Sequence, residues 1–172
     1  MEALARFRPS MATVLDWERE SQFDLVMEWA EEAARHVGSV VIIPKVVDSV
    51  ERIPFTVCGK PVVIGYSIPT KFGGTSVPVW ELAGRRVHLL GGSPHRQMRE
   101  YAQISGIAEV VSADGNMMRK MAVERCCYWS PRSCGREGRW PVLRSEDKVD
   151  TIYAAFRMSC EAIAFAWREE RG

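Results

Sequence analysis

Two short apolar runs in the middle of the chain each end in residues equipped for chemistry. Residues 87–90 are followed by Gly91, Gly92 and Ser93, with Pro94 placed to open a helix; residues 109–112 are followed by Asp114, Gly115 and Asn116. The first arrangement predicts backbone N–H groups gathered at a helix N-terminus, where phosphates and other anions bind. The second predicts a carboxylate at the carboxyl end of a buried strand beside a tight turn, and in parallel α/β folds that end is the active face. A carboxylate there can serve as a nucleophile that forms a covalent intermediate. Asp-Gly is also a common turn pair, so Asp114 has a second reading as an Asx-turn residue. Gly91, Gly92 and Ser93 read either as an anion cradle or as a plain strand-to-helix turn that needs glycine for positive φ. His95, beside that turn, is a candidate ligand contact. His88, inside an apolar run, reads as structural.

The elements that must position these residues follow from periodicity. Residues 12–16 predict a first buried strand with Asp16 at its carboxyl end, and residues 40–43, 61–65, 87–90 and 109–112 predict four more. Residues 21–37 carry Phe23, Met27, Ala30, Ala34 and Val37 at helical spacing, and residues 94–104 and 116–124 predict two further helices. A long helix over residues 145–170 has Ser145 as N-cap. Its face of Val149, Ile152, Tyr153, Phe156, Cys160, Ile163 and Trp167 is expected to dock on the sheet. Residues 68–75, with Pro69, Lys71, Gly73 and Gly74, read as a working loop, without the full phosphate-binding Gly-Lys pattern. Continuous apolar strands alternating with helices predict a single α/β domain, a parallel sheet of about five strands with flanking helices.

Composition narrows the class. The 172 residues are 47% apolar, and 23 Lys and Arg nearly cancel 22 Asp and Glu, so no global field announces a nucleic-acid partner. No run approaches the roughly 20 apolar residues of a membrane span, and five cysteines in an ordinary core composition predict reduced thiols, hence a cytoplasmic protein.

The strand ends resemble those of the tRNA-guanine transglycosylase type of TIM barrel, including its phage DNA-guanine transglycosylase branch. Val87-His88-Leu89-Leu90-Gly91-Gly92-Ser93-Pro94 is similar to the family's strand ending in Leu-Met-Gly-Val-Gly-x-Pro. Val110-Val111-Ser112-Ala113-Asp114 follows at a spacing like that of its Phe-Asp motif. Val14-Leu15-Asp16 looks like the strand end with the base-recognising aspartate, and Ile64-Gly65-Tyr66-Ser67 sits where the family has a glycine-rich base-contacting loop. The resemblance spans roughly residues 12–121. It implies the later part of a TIM barrel, with guanine exchanged for a 7-deazaguanine base in tRNA or DNA. Asp114 would be the nucleophile and Asp16 a second catalytic or base-recognising carboxylate. Gly65, Tyr66, Ser67, Gly91, Gly92, Ser93, His95 and Asn116 would be the substrate contacts. The family's first strands, with Asp-Ser-Gly-Gly-Phe, have no counterpart, and Ile43-Pro44-Lys45 replaces its glutamine-bearing strand. A homo-oligomer or a partner completing the barrel is therefore expected.

No redox cofactor is implied. Cys126, Cys127 and Cys134 have the ligand type for zinc, but adjacent cysteines suit a tetrahedral site poorly and the family's zinc motif is not reproduced. Arg125, Arg132, Arg136 and Arg139 interleave with Tyr128, Trp129 and Trp140, a composition that suits either a nucleic-acid grip or a solvated loop. Two other function classes fit the same residues: a non-catalytic nucleotide- or nucleic-acid-binding protein, and a nucleoside hydrolase.

Overall fold

The computed structural model describes residues 2–71, 73–133 and 140–169. The chain clusters into two compact units, Met1–Leu90 with Gln103–Asp114, and Gly91–Ala102 with Gly115–Gly172.

The first unit holds the sheet. A short helix α1 (Glu2–Phe7) precedes β1 (Met11–Trp17), α2 (Phe23–Ala34) and β2 (Ser39–Pro44); β3 (Thr56–Val57), β4 (Lys60–Ser67), β5 (Arg86–Leu90) and β6 (Glu109–Ala113) follow. Five strands run parallel in the order β1-β2-β4-β5-β6, and β3 pairs antiparallel with β4. Val40, Val41, Ile42, Val63 and Ile64 are all buried, as continuous Val/Ile runs in a sheet covered on both faces require. The expected parallel α/β sheet is therefore present, with strands one to three residues longer than the apolar runs. Only the β3–β4 hairpin was not anticipated. Its two-residue loop, Cys58-Gly59, has positive φ at both positions, the geometry of a tight hairpin turn.

The spatial order of the parallel strands is their order in the chain, each laid beside the one before. A doubly wound sheet reverses its order at a switch point, whereas a barrel wall does not. This sheet is wound like a stretch of barrel wall. Helix α2 packs on β1 and β2, burying Val26, Ala30, Ala33 and Ala34; these small residues let helix and sheet approach closely.

Two shifts of register decide which side chains share a face. The face bearing Val41, Ile43 and Val63 also bears Gly65, His88 and Leu90, because Val41 lies opposite Val63 and Gly65 opposite His88. On β1, Thr13 is opposite Val41 and Asp16 opposite Ile43, so Val14 and Leu15 together span one residue of β2. Without that bulge Leu15 would stand where Asp16 does. On β6, Val110 is opposite Val87 and Ser112 opposite His88, so Val111 is the extra residue. Bulges re-aim side chains in this way beside working sites. Here they bring Asp16, Ser112 and Asp114 to the Gly65 face.

In the second unit, α4 (Met117–Arg125) packs against α5 (Lys148–Glu169), and Tyr101 of α3 (Pro94–Ile104) meets Trp167 edge-to-face at 4.6 Å. The apolar face expected to be buried on α5 is not the one that is. Val149, Tyr153 and Cys160 are exposed, and Thr151, Ala155, Ser159 and Ala166 are buried. Small side chains permit close approach, and Ser159 Oγ accepts the N–H of the buried Trp129 at 2.8 Å, so packing distance and a hydrogen bond outweigh apolar area. The N-cap is Asp147, not Ser145: Oδ1 accepts the N–H groups of Val149 and Asp150 at 2.7 and 3.0 Å. No helix among the described residues is long and apolar enough to cross a membrane.

Candidate active site

Asp114 directly follows β6, and its N–H donates to the Leu89 carbonyl at 2.9 Å, which fixes the backbone from which its carboxylate projects. His88, one strand away, is buried. Its Nδ1 lies 2.7 Å from Ser112 Oγ and its Nε2 3.8 Å from Asp114 Oδ2. Burial pushes the imidazole below its ordinary basicity, with the Asp114 carboxylate opposing that shift, so His88 is neutral near pH 7. A neutral imidazole has one N–H, and a carboxylate faces Nε2. The consistent tautomer keeps the proton on Nε2, with Ser112 O–H donating to Nδ1. Asp114 thus stands beside an oriented imidazole, 3.8 Å from its Nε2.

His88 and Asp114 line a cavity of about 410 Å³ together with Leu4, Pro9, Met11, Ala12, Thr13 and Val41, within the range of roughly 300–1,000 Å³ common for small-molecule sites. Residues of β1 and β5, three strand steps apart, line the same space, so the face curves inward around it. Gly65 is obligatory in that face. A Cβ there would meet Ile43 Cγ1 at 2.6 Å, Leu90 Cδ1 at 2.8 Å and Val41 Cγ1 at 3.0 Å. Asp114 is the exposed member of the pair, its side chain 59% accessible against 8% for His88.

Asp16 reaches the same face from β1, the strand at the other end of the sheet order. Lys45 engages it: the Nζ ion-pairs with Asp16 and, at 3.4 Å, with Glu18, and the Asp16 hydrogen bond holds the amine above its usual basicity against partial burial. Any ligand approaching Asp16 must compete with that ammonium. Ser67 ends β4, its carbonyl accepting the N–H of Thr75, while Thr75 Oγ1 donates to the Pro44 carbonyl, so the loop over residues 68–75 is tied to two strand ends. Tyr66 faces the other way by strand alternation and is buried, which removes it from the Gly65 face.

The remaining sequence candidates lie in the second unit. Gly91 and Gly92 both have positive φ, and the Gly91 carbonyl accepts Nε2–H of the buried Gln97 at 2.9 Å. Ser93 opens α3, its hydroxyl accepting the Arg96 N–H at 3.4 Å and its carbonyl the Gln97 N–H at 2.9 Å. The glycine turn thus serves the entry into α3. His95 and Asn116 are exposed at the starts of α3 and α4. Trp129 is buried in this unit and is not available to stack on a base; Arg125 and Arg132 are exposed, and Arg136 and Arg139 lie outside the described residues. Cys127 is buried, its thiol raised chiefly by that burial, and Cys126 is half-buried; Cys134 lies outside the described residues. Among the described residues no group of three His, Cys, Asp or Glu side chains is placed to hold a metal ion.

His88 reads as structural in the sequence, which does not single out Ser112, whereas the structure places both beside Asp114. Their signal was present but weak: one polar residue in each of two apolar runs, which only strand pairing with its bulge could place side by side.

Fold and site together define a class, a parallel α/β protein with strands wound in chain order and a carboxylate beside a neutral imidazole at a cavity. The chain belongs to the family of unknown function DUF6610, whose profile matches residues 1–168. No curated protein and no solved structure matches it.

Proposed function

We propose that the chain is a guanine-transglycosylase-like protein that exchanges a guanine-type base on nucleic acid, with Asp114 as the nucleophile. The observation that carries this reading is the Asp114 carboxylate at a cavity wall, with Nε2 of the buried His88 3.8 Å from its Oδ2. In the first half-reaction an Asp114 oxygen bonds to the sugar C1′ as the bond from C1′ to the base nitrogen breaks, and the base leaves with the bonding pair and takes up a proton. In the second half-reaction the incoming 7-deazaguanine gives up its ring N–H proton, its nitrogen bonds to C1′, and the Asp114 ester breaks. His88 is a positioning residue that holds the carboxylate, and Ser112 fixes the His88 tautomer. Asp16 serves as a base contact once Lys45 yields it. Gly65 keeps space for a planar ring.

A second chain, or a second copy of this one, completes the sheet, in keeping with strands wound as in a barrel wall but too few to close one. Among the described residues Cys58, Cys126, Cys127 and Cys160 are free thiols, which suits a reducing cytoplasm.

The test is incubation with guanine-containing tRNA and DNA and a labelled 7-deazaguanine base, for native protein and Asp114→Asn. Incorporation lost in the variant supports the reading. Release of base without incorporation would instead assign a nucleoside hydrolase, and nucleic-acid binding that survives Asp114→Asn with no incorporation in either protein would assign a binding module.

A further inference from the structure

A second cavity in the sheet unit, of about 460 Å³, shares no lining residue with the first. It is walled by Phe55 and Trp80, by the carboxylate residues Asp48, Glu51 and Glu81, and by Arg85. Arg85 immediately precedes β5 and so marks the amino end of that strand, whereas Asp114 follows the carboxyl end of the parallel β6. The two aromatic residues are 65% and 64% exposed, unusual for large rings that share one concave surface.

The wall is held in shape from within. Arg85 is buried, its guanidinium 4.1 Å from the centre of the Phe55 ring, and Nη2 donates to the carbonyls of Ile53 and Pro54 at 2.8 and 3.3 Å. Its hydrogen bonds go to backbone, and they fix the segment that presents Phe55. Across the cavity, Glu81 accepts the N–H groups of Asp48 and Val50 at 2.9 and 3.5 Å, which ties the loop after β2 to the turn that carries Trp80. Asp48 holds a left-handed backbone with φ of 61°, a conformation that costs an ordinary residue energy and recurs at working sites. Three carboxylates against one guanidinium leave the lining with a net charge of −2.

Exposed π faces beside unbalanced carboxylates are the chemistry that recognises an organic cation, the rings covering its apolar body and the carboxylates its charge. We infer that this cleft binds an alkylammonium or guanidinium group, carried either by a free polyamine or by a Lys or Arg side chain of a partner protein. The inference is independent of base exchange at Asp114.

Titration calorimetry at low salt tests it on the full chain, with spermidine as one probe and a short Lys/Arg-containing peptide as the other, and with N-acetylglutamate as an anionic control. Either cationic probe is expected to bind, about 3- to 30-fold more weakly to Trp80→Ala, as loss of a cation–π contact implies, and several-fold more weakly to Glu51→Gln. Trp80 and Glu51 are both exposed, so both variants should melt like the native chain. Spermidine binding without peptide binding assigns the free amine; the reverse assigns a partner side chain. Equal affinity in all three proteins, no binding of either cation, or preferential binding of the anion would overturn the inference.

Discussion

The two ends of the sheet order make opposite use of the same device. At β1 a bulge turns Asp16 to the Gly65 face, and at β6 a bulge turns Asp114 to that face. Beside Asp16 stands a permanent cation, Lys45; beside Asp114 stands an imidazole kept neutral by its own burial. An ammonium meets a carboxylate as a full charge, whereas a neutral imidazole meets it without one. In the proposed reaction this contrast gives bond-making to the β6 end and recognition to the β1 end.

The sharpest way to break that contrast is chemical. Asp114→Asn is expected to lower base exchange by roughly 10⁴-fold or more, the scale of losing a nucleophile, and to abolish the covalent adduct on a denaturing gel. Asp16→Asn should retain the adduct and raise KM. An adduct that survives Asp114→Asn and vanishes in Asp16→Asn would reverse the assignment.

Next in size is Gly65→Val. It drives new methyl groups into Val41, Ile43 and Leu90 and is expected to cost about 1–3 kcal/mol by overpacking, read from the denaturant midpoint. An unchanged midpoint would mean that the face linking the two ends is not closely packed.

A pH profile of stability separates the ends further. His88 has a folded pKa below its unfolded value, so its contribution is complete above about pH 6.5, the ordinary imidazole value, and is lost as pH falls toward the depressed folded value. His88→Asn should flatten that slope. Lys45 behaves in the opposite sense: its folded pKa is raised, so the Asp16 pair contributes at neutral pH and is lost as pH climbs through the raised value. Lys45→Met is the smallest effect, about 0.2–1 kcal/mol for a partly exposed pair, and should shrink further in 1 M salt. A loss from Lys45→Met that is insensitive to salt would show that packing of the lysine stem, not charge, is what the β1 end relies on.

Strands and most helices were legible because burial on both faces of a parallel sheet demands unbroken Val/Ile runs, and those are visible in the chain. Asp114 and Asp16 were legible as carboxylates at strand ends. Their shared face was not, since it depends on two one-residue register shifts that no periodicity announces. His88 reads as structural in the sequence, and nothing there announces its place beside Asp114, because its partner Ser112 is 24 positions away. Helix α5 departs from its pattern: an apolar stripe of Val149, Tyr153 and Cys160 promises burial, while the small Thr151, Ala155 and Ser159 achieve it through closer approach and the bond to Trp129.

The bulge at Val111 carries a consequence for inheritance. Point substitutions along β6 can alter the size or charge of what faces the cavity, but they leave the alternation intact and can be reversed one residue at a time. Because Val111 is the surplus residue, loss of its codon would leave Ser112 opposite His88 and Asp114 on the same face, in a ladder with no bulge. Loss of the codon for Ala113 would instead set Asp114 opposite Leu89, on the other face from Ser112, so the spacing between those two residues tolerates no change of length while the bulge does.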